Sequence, residues 1–145
     1  MDIIYVALAV PLILRRMSSS CRRWRYLYAM ARVKVMYWKE IPVQIKAEDE
    51  WEEISIMLDD RFQQAVDSIS MYDGSSGSED YMAAWQWGTD IEVLGDARDA
   101  AQEVAERFND NFPQDFVVRI RDSHSSGERD PSPGAVDHWV QDVED

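Results

Sequence analysis

The chain has 145 residues, 46% of them apolar and 30% charged, enough for one domain with a core and too few for two. The net charge of −13 is unevenly placed: residues 1–29 hold five arginines and one acid, leaving 10 basic against 27 acidic residues for the rest. So acidic a surface repels phosphate backbones and argues against nucleic acid as a partner, while the lone Cys21 allows neither an internal disulfide nor a thiolate metal site and fits a reducing cytoplasm.

The apolar run IIYVALAVPLIL, residues 3–14, is interrupted by Pro11 and falls short of the roughly 18–20 residues of a spanning helix. Its arginines follow the run instead of preceding it, unlike a signal peptide. Two readings remain for this leader. Translation starts at Met30 and residues 1–29 stand outside the fold, which is the expectation here. Alternatively the run dips into lipid as a surface anchor while the arginines meet anionic headgroups.

From Val33 to Lys39, Val33, Val35 and Tyr37 alternate with Lys34, Met36 and Trp38 in a period of two rich in β-branched and aromatic residues, which predicts a strand. Ile41-Pro42 interrupts it, because proline cannot donate to a ladder, and Val43 to Lys46 is a second short strand. The segment WEEISIML from Trp51 puts Ile54, Ile56 and Leu58 on one face of a third strand. Asp59 and Asp60 are N-cap candidates, with Gln63 three residues after Asp60 to close a capping box, for a helix to about Tyr72. After the turn DGSSGS, Ser78 caps a short helical stretch through Ala84, and an extended segment runs from Trp85 past Gly88 to Leu94. Asp96 then caps a helix whose stripe is Ala97, Ala100, Ala101, Val104, Ala105 and Phe108. Phe116 to Arg121 reads as an optional edge strand, and residues 122–145 have the Ser, Gly, Pro and acid content of a disordered end.

This order predicts an α+β fold: a two-layer sandwich with a mostly antiparallel sheet of four to five strands and two main helices on one face. The domain would occupy residues 30–113, with an acidic tail over 114–145.

The run Tyr37-Trp38-Lys39-Glu40-Ile41-Pro42-Val43-Gln44, then Leu58, Arg61-Phe62-Gln63 and Ala65, then Tyr81 and Trp85-Gln86-Trp87-Gly88, resembles a small bacterial family of conserved virulence factor domain proteins. The resemblance covers about Met30 to Phe108. It implies a domain that occurs alone or attached to larger proteins, an association with virulence in some bacteria, and no catalytic residues to carry over.

The residues themselves supply no reaction centre. Nucleophilic catalysis needs a nucleophile beside a base, but the only histidines, His124 and His138, fall in the tail and the only cysteine precedes the domain. The carboxylates cluster at turns and caps, and GSSGS lacks the lysine and strand-to-helix setting of a phosphate loop. Neither a metal nor a cofactor is called for. What stands out is aromatic density, which fills a core or forms a stacking surface on a sheet face. The candidate binding set is Trp38, Pro42, Gln44, Trp85 and Trp87, with Gln86 a polar neighbour. The first expectation is a cytoplasmic, non-catalytic module that binds a protein partner, with membrane contact only through the leader. The alternative is an accessory subunit or small-molecule-binding domain acting with a larger metabolic enzyme, and a stand-alone enzyme comes third.

Overall fold

A computed structural model describes residues 29–140, so the leader, Ala29 excepted, lies outside the described residues. Strands β1 (Met30–Trp38), β2 (Ile41–Glu48) and β3 (Glu53–Met57) form an antiparallel meander. Short strands β4 (Trp85–Trp87) and β5 (Ile91–Leu94) both pair antiparallel with β1, β4 against its end and β5 against its start. The result is an open five-stranded sheet in the order β3-β2-β1-β4, with β5 also on β1. Period-two alternation sorts β1 as expected: Ala31, Val33, Val35 and Tyr37 are buried, while Arg32, Lys34 and Met36 keep contact with solvent.

Helices α1 (Asp60–Tyr72) and α3 (Ala97–Asn111) cover the buried face, as the α+β sandwich requires. In α1, Phe62, Ala65, Val66 and Ile69 recur at helical spacing and are buried. In α3 the stripe from Ala97 to Phe108 is buried throughout, and its alanines let the helix axis come close to the sheet. Asp96 caps α3 as expected, accepting from the Asp99 N–H at 2.8 Å. The Ala97 N–H donates to Asp49 Oδ2 at 2.7 Å, tying the β2–β3 turn to the same helix end.

Several expectations are corrected. The capping box of α1 does not form: Asp59 is the N-cap without a side-chain bond, and the Phe62 N–H donates to its backbone carbonyl instead. Ser78 likewise makes no cap bond to the short helix α2 (Glu79–Ala83), because its hydroxyl donates to the Ser75 carbonyl. Pro42 does not break the strand. It lies inside β2 at a bulge, where the register with β1 slips between Met36 and Tyr37, a position at which a missing N–H is tolerated. The two-residue turn Lys39-Glu40 holds Lys39 at φ 52°, and the Lys39 N–H donates to the Ala84 carbonyl at 3.1 Å.

The largest correction concerns the tail. Phe116 to Arg121 is no edge strand but the start of a helix, α4 (Phe116–Ser126), which ends on Gly127 in the left-handed conformation. Phe116 and Ile120, four residues apart, are its buried residues. Phe116 meets Phe62 at a ring distance of 5.4 Å and Phe112 at 5.0 Å. Arg61 donates to the carbonyls of Asn109, Phe112 and Pro113, which closes the end of α3 against the start of α1.

Residues 127–140 then return along the domain. The Arg129 guanidinium, with its side chain 6% exposed, takes Glu40 in two bonds of 2.7 Å and Asp73 in one of 2.9 Å. Lys39 reaches the same Asp73 oxygen at 2.7 Å, so two cations and two anions balance at this joint. Burial pushes the Asp73 carboxyl up, but hydrogen bonds from Lys39, Ser75 and Arg129 outweigh it and hold it well below the usual carboxylate range. No helix among the described residues is long and apolar enough to cross a membrane.

Candidate functional site

The side of the sheet away from α1 and α3 is crossed by rows of side chains that strand register places side by side. One row runs Trp87, Met36, Gln44, Met57 across β4, β1, β2 and β3. The next is Lys34, Lys46, Ser55, and the one beyond holds Glu92, Arg32, Glu48 and Glu53. In the last of these Arg32 pairs with Glu48 at 2.9 Å. The first row is largely apolar and stays in contact with water: Trp87 is 38% exposed and Met57 59%.

Lys34 and Lys46 stand directly opposite each other on β1 and β2. Like charges in that relation destabilise an antiparallel pair. Both ammonium groups lean over the Trp87 ring, Lys34 at 4.7 Å and Lys46 at 5.6 Å from its centroid, so cation–π attraction offsets part of that repulsion. Lys46 also reaches Glu53 at 3.3 Å. In a chain of net charge −13, this face sets two cations beside an exposed indole and the exposed or half-buried side chains of Met36, Gln44 and Met57.

This places the five expected site residues. Gln44 and Trp87 fall in the same exposed row, two strands apart. Trp85 shares the Trp87 side of β4 but is half-buried, its ring 6.3 Å from Tyr81. Trp38 and Pro42, also in the candidate binding set, are fully buried and so present no surface to a partner. Trp38 pairs with Trp85 in register, is covered by Tyr81 of α2 at 5.7 Å, and donates its indole N–H to the Tyr81 carbonyl. Gln86 is exposed but opposes Tyr37, so alternation turns it to the other side from Trp87.

A second feature lies on the helix side, where the sheet edge, α3 and the C-terminal segment meet. A cavity of about 320 Å3 is walled by Val33 and Val35 of β1, Ile91 of β5, and Val104 and Phe108 of α3. Tyr37 and Asp137 line one end, and the Tyr37 hydroxyl donates a hydrogen bond to Asp137 Oδ2. Asp137 Oδ1 is buried with no hydrogen-bond partner. Burial pushes the Asp137 carboxyl up, against the pull of the Tyr37 bond and His138, and burial together with the Asp137 charge pushes the Tyr37 hydroxyl up. Gly88 is required here: a Cβ would lie 2.7 Å from Tyr37 Cε2. Sequence reasoning misses this pair because its members stand 100 residues apart and no local pattern joins them.

Of the two histidines, His138 follows Asp137 directly and acts on its carboxyl, while His124 lies elsewhere. His124 stands 3.4 Å from Arg129 and His138 packs beside Trp139. Among the described residues no group of three or more His, Cys, Asp or Glu could hold a metal ion.

A family model described as virulence factor matches residues 36–120, from the later part of β1 into α4. The chain belongs to the virulence factor family. No curated protein and no solved structure matches it. The matched span of this virulence factor domain contains the exposed row, Trp87, Met36, Gln44 and Met57, together with Lys46. Lys34 and Asp137 lie outside it.

Proposed function

We propose that this virulence factor domain is a cytoplasmic, non-catalytic interaction module that takes an acidic, partly apolar segment of a protein partner across its uncovered sheet face. The carrying observation is the opposed Lys34–Lys46 pair beside exposed Trp87. Two like charges held face to face are a cost to the free domain that an anionic partner removes. Tryptophan is among the residues on which binding energy concentrates, and Met36, Gln44 and Met57 extend its surface with adaptable side chains.

Affinity purification of the full chain from its own cells, followed by mass spectrometry, tests the reading. The parent should retain a stoichiometric protein partner whose binding weakens as salt is raised. Trp87→Ala and Lys34→Glu, each folded as judged by circular dichroism, should lose it. Unchanged recovery by both variants overturns the proposal.

A further inference from the structure

Residues 131–140 supply one wall of the cavity on the helix side of the sheet, through Pro133, Gly134, Asp137 and Val140, and they lie beyond the residues that the family model matches. We propose that this segment is a pH-sensitive strap, closed over the cavity while Asp137 is neutral and loosened when Asp137 is charged. Among the described residues its backbone bonds run within the segment: Ala135 donates to Ser132, Asp137 to Gly134, Trp139 to Val136 and Val140 to Asp137. Side chains hold it to the domain, Val136, Trp139 and Val140 against the core and Asp137 through the Tyr37 hydroxyl. Lifting it therefore breaks no sheet ladder, and it uncovers the apolar wall of Val33, Val35, Val104 and Phe108. Residues 130–133, all exposed, lead to it from the Arg129 joint.

Two carboxyls that fasten the C-terminal segment are provided for differently. Asp73 is built to be a carboxylate: one oxygen accepts from Lys39 and Arg129, the other from the N–H and the hydroxyl of Ser75. Asp137 has the Tyr37 hydroxyl on one oxygen, while the other is shut away from water with no partner. A charge in that place gives up its hydration for a single donor, whereas a neutral carboxyl gives up far less. Burial accordingly pushes the Asp137 carboxyl up. Because Asp137 rides on the strap, loosening returns the charge to water. The neighbouring elements do not supply the missing donors. Tyr37 is the titratable group from β1, β5 contributes uncharged Ile91, and Arg107 of α3 lines the cavity but is half exposed and turned toward Glu103 at 3.7 Å. His138, next in the chain, favours the charged form only while it is protonated, so loss of its proton loosens the strap in the same direction.

The test is amide hydrogen exchange of the full chain from about pH 4 to about pH 8, corrected for the intrinsic rate at each pH. The closed strap keeps a proton on Asp137 that the open strap has lost. Opening of residues 134–140 should therefore rise by up to about tenfold per pH unit from about pH 3.9, and level off above the folded value of Asp137. Over the same range α1 should keep its protection, and the methyl NMR signals of Val35 and Val104 should shift along the strap's profile as their wall is uncovered. Asp137→Asn keeps an acceptor for Tyr37 but cannot ionise, and should flatten the profile. His138→Gln removes an exposed charge that favours the ionised carboxyl, and should extend the rise to higher pH. The proposal is overturned if corrected exchange of 134–140 is flat in the parent, if its slope survives Asp137→Asn, if α1 opens in step with it, or if His138→Gln shortens the rise. Should Asp137→Asn fail to fold, the parent and His138→Gln profiles still decide.

Discussion

The two faces of the sheet are built from the same strands and differ by a single step of the alternation. On the helix side Val33, Val35, Ile45 and Ala47 are at most 7% exposed, and they join α1 and α3 in one core. One residue along each strand, Lys34, Met36, Gln44 and Lys46 remain partly exposed. The first face is where burial stabilises the fold. The second contributes little to stability, so it is free to carry charges and an indole in arrangements that folding alone would not select. A large change on one face should therefore be felt in stability, and an equally large one on the other in binding.

The widest gap expected between the faces comes from truncating one apolar side chain on each. Phe62→Ala empties a site packed by Phe112 and Phe116 and should cost about 3–5 kcal/mol, read as a fall in the urea midpoint. Met57→Ala on the open face should stay within about 0.5 kcal/mol. Equal losses would mean that the open face is covered in solution.

The C-terminal joint should come next. Arg129→Ala strands Glu40, which is 1% exposed, while Lys39 still neutralises Asp73. Breaking a buried pair from one side typically costs about 3–5 kcal/mol, and the lower end is expected here. Amide exchange should then rise first in residues 116–140, whose contacts with the domain this joint secures. Protection unchanged in that segment would show that Phe116, Ile120 and Val136 suffice to hold it.

Acid titration separates two carboxyls with opposite shifts. The folded Asp73 is held below its unfolded value of about 3.9, so its contribution is full above that pH and is lost as pH falls toward the folded value. Asp137 is raised, so it favours the fold while protonated and detracts increasingly as pH climbs from about 3.9 through its folded value. Denaturant midpoints followed against pH should therefore drop steeply on the acid side in the parent. In Asp137→Asn the mild decline above that range should disappear while the acid drop remains. An acid limb that vanishes with Asp137→Asn would assign it to the wrong residue.

How much of this is legible in the sequence depends on the range of the interactions. The strands β1 and β3 and the helices α1 and α3 announce themselves by local period, and so does the exposure of Gln44 and Trp87. Phe116 to Arg121 reads as a strand because Val117, Val118 and Ile120 are β-branched. What makes it a helix is tertiary: Phe116 and Ile120 find the Phe62 and Phe112 side of the core only at a spacing of four. The serine- and proline-rich stretch after it has the composition of a disordered end, yet Arg129 bonds Glu40 across 89 residues and Tyr37 bonds Asp137 across 100. Such pairings leave no periodic trace. Alternation alone does not show that Trp38 and Pro42 are buried, because it cannot foresee a bulge in β2 or a short helix laid over a tryptophan.

The smallest stability effect belongs to the open face and is the sharpest test of the comparison. In Lys34→Glu the repulsion with Lys46 becomes an attraction, a gain on the order of 0.2–1 kcal/mol. The same change removes an ammonium 4.7 Å from the Trp87 ring, a loss of about 0.5–1 kcal/mol at an exposed site. The two nearly cancel, so the urea midpoint should stay close to that of the parent. The local field, however, changes by two charges beside the indole, and an acidic partner that meets Lys34 in the parent would meet a carboxylate. Affinity should fall while stability holds. A variant that lost both together would place Lys34 among the residues that build the fold, and a variant that lost neither would move the binding surface away from this row.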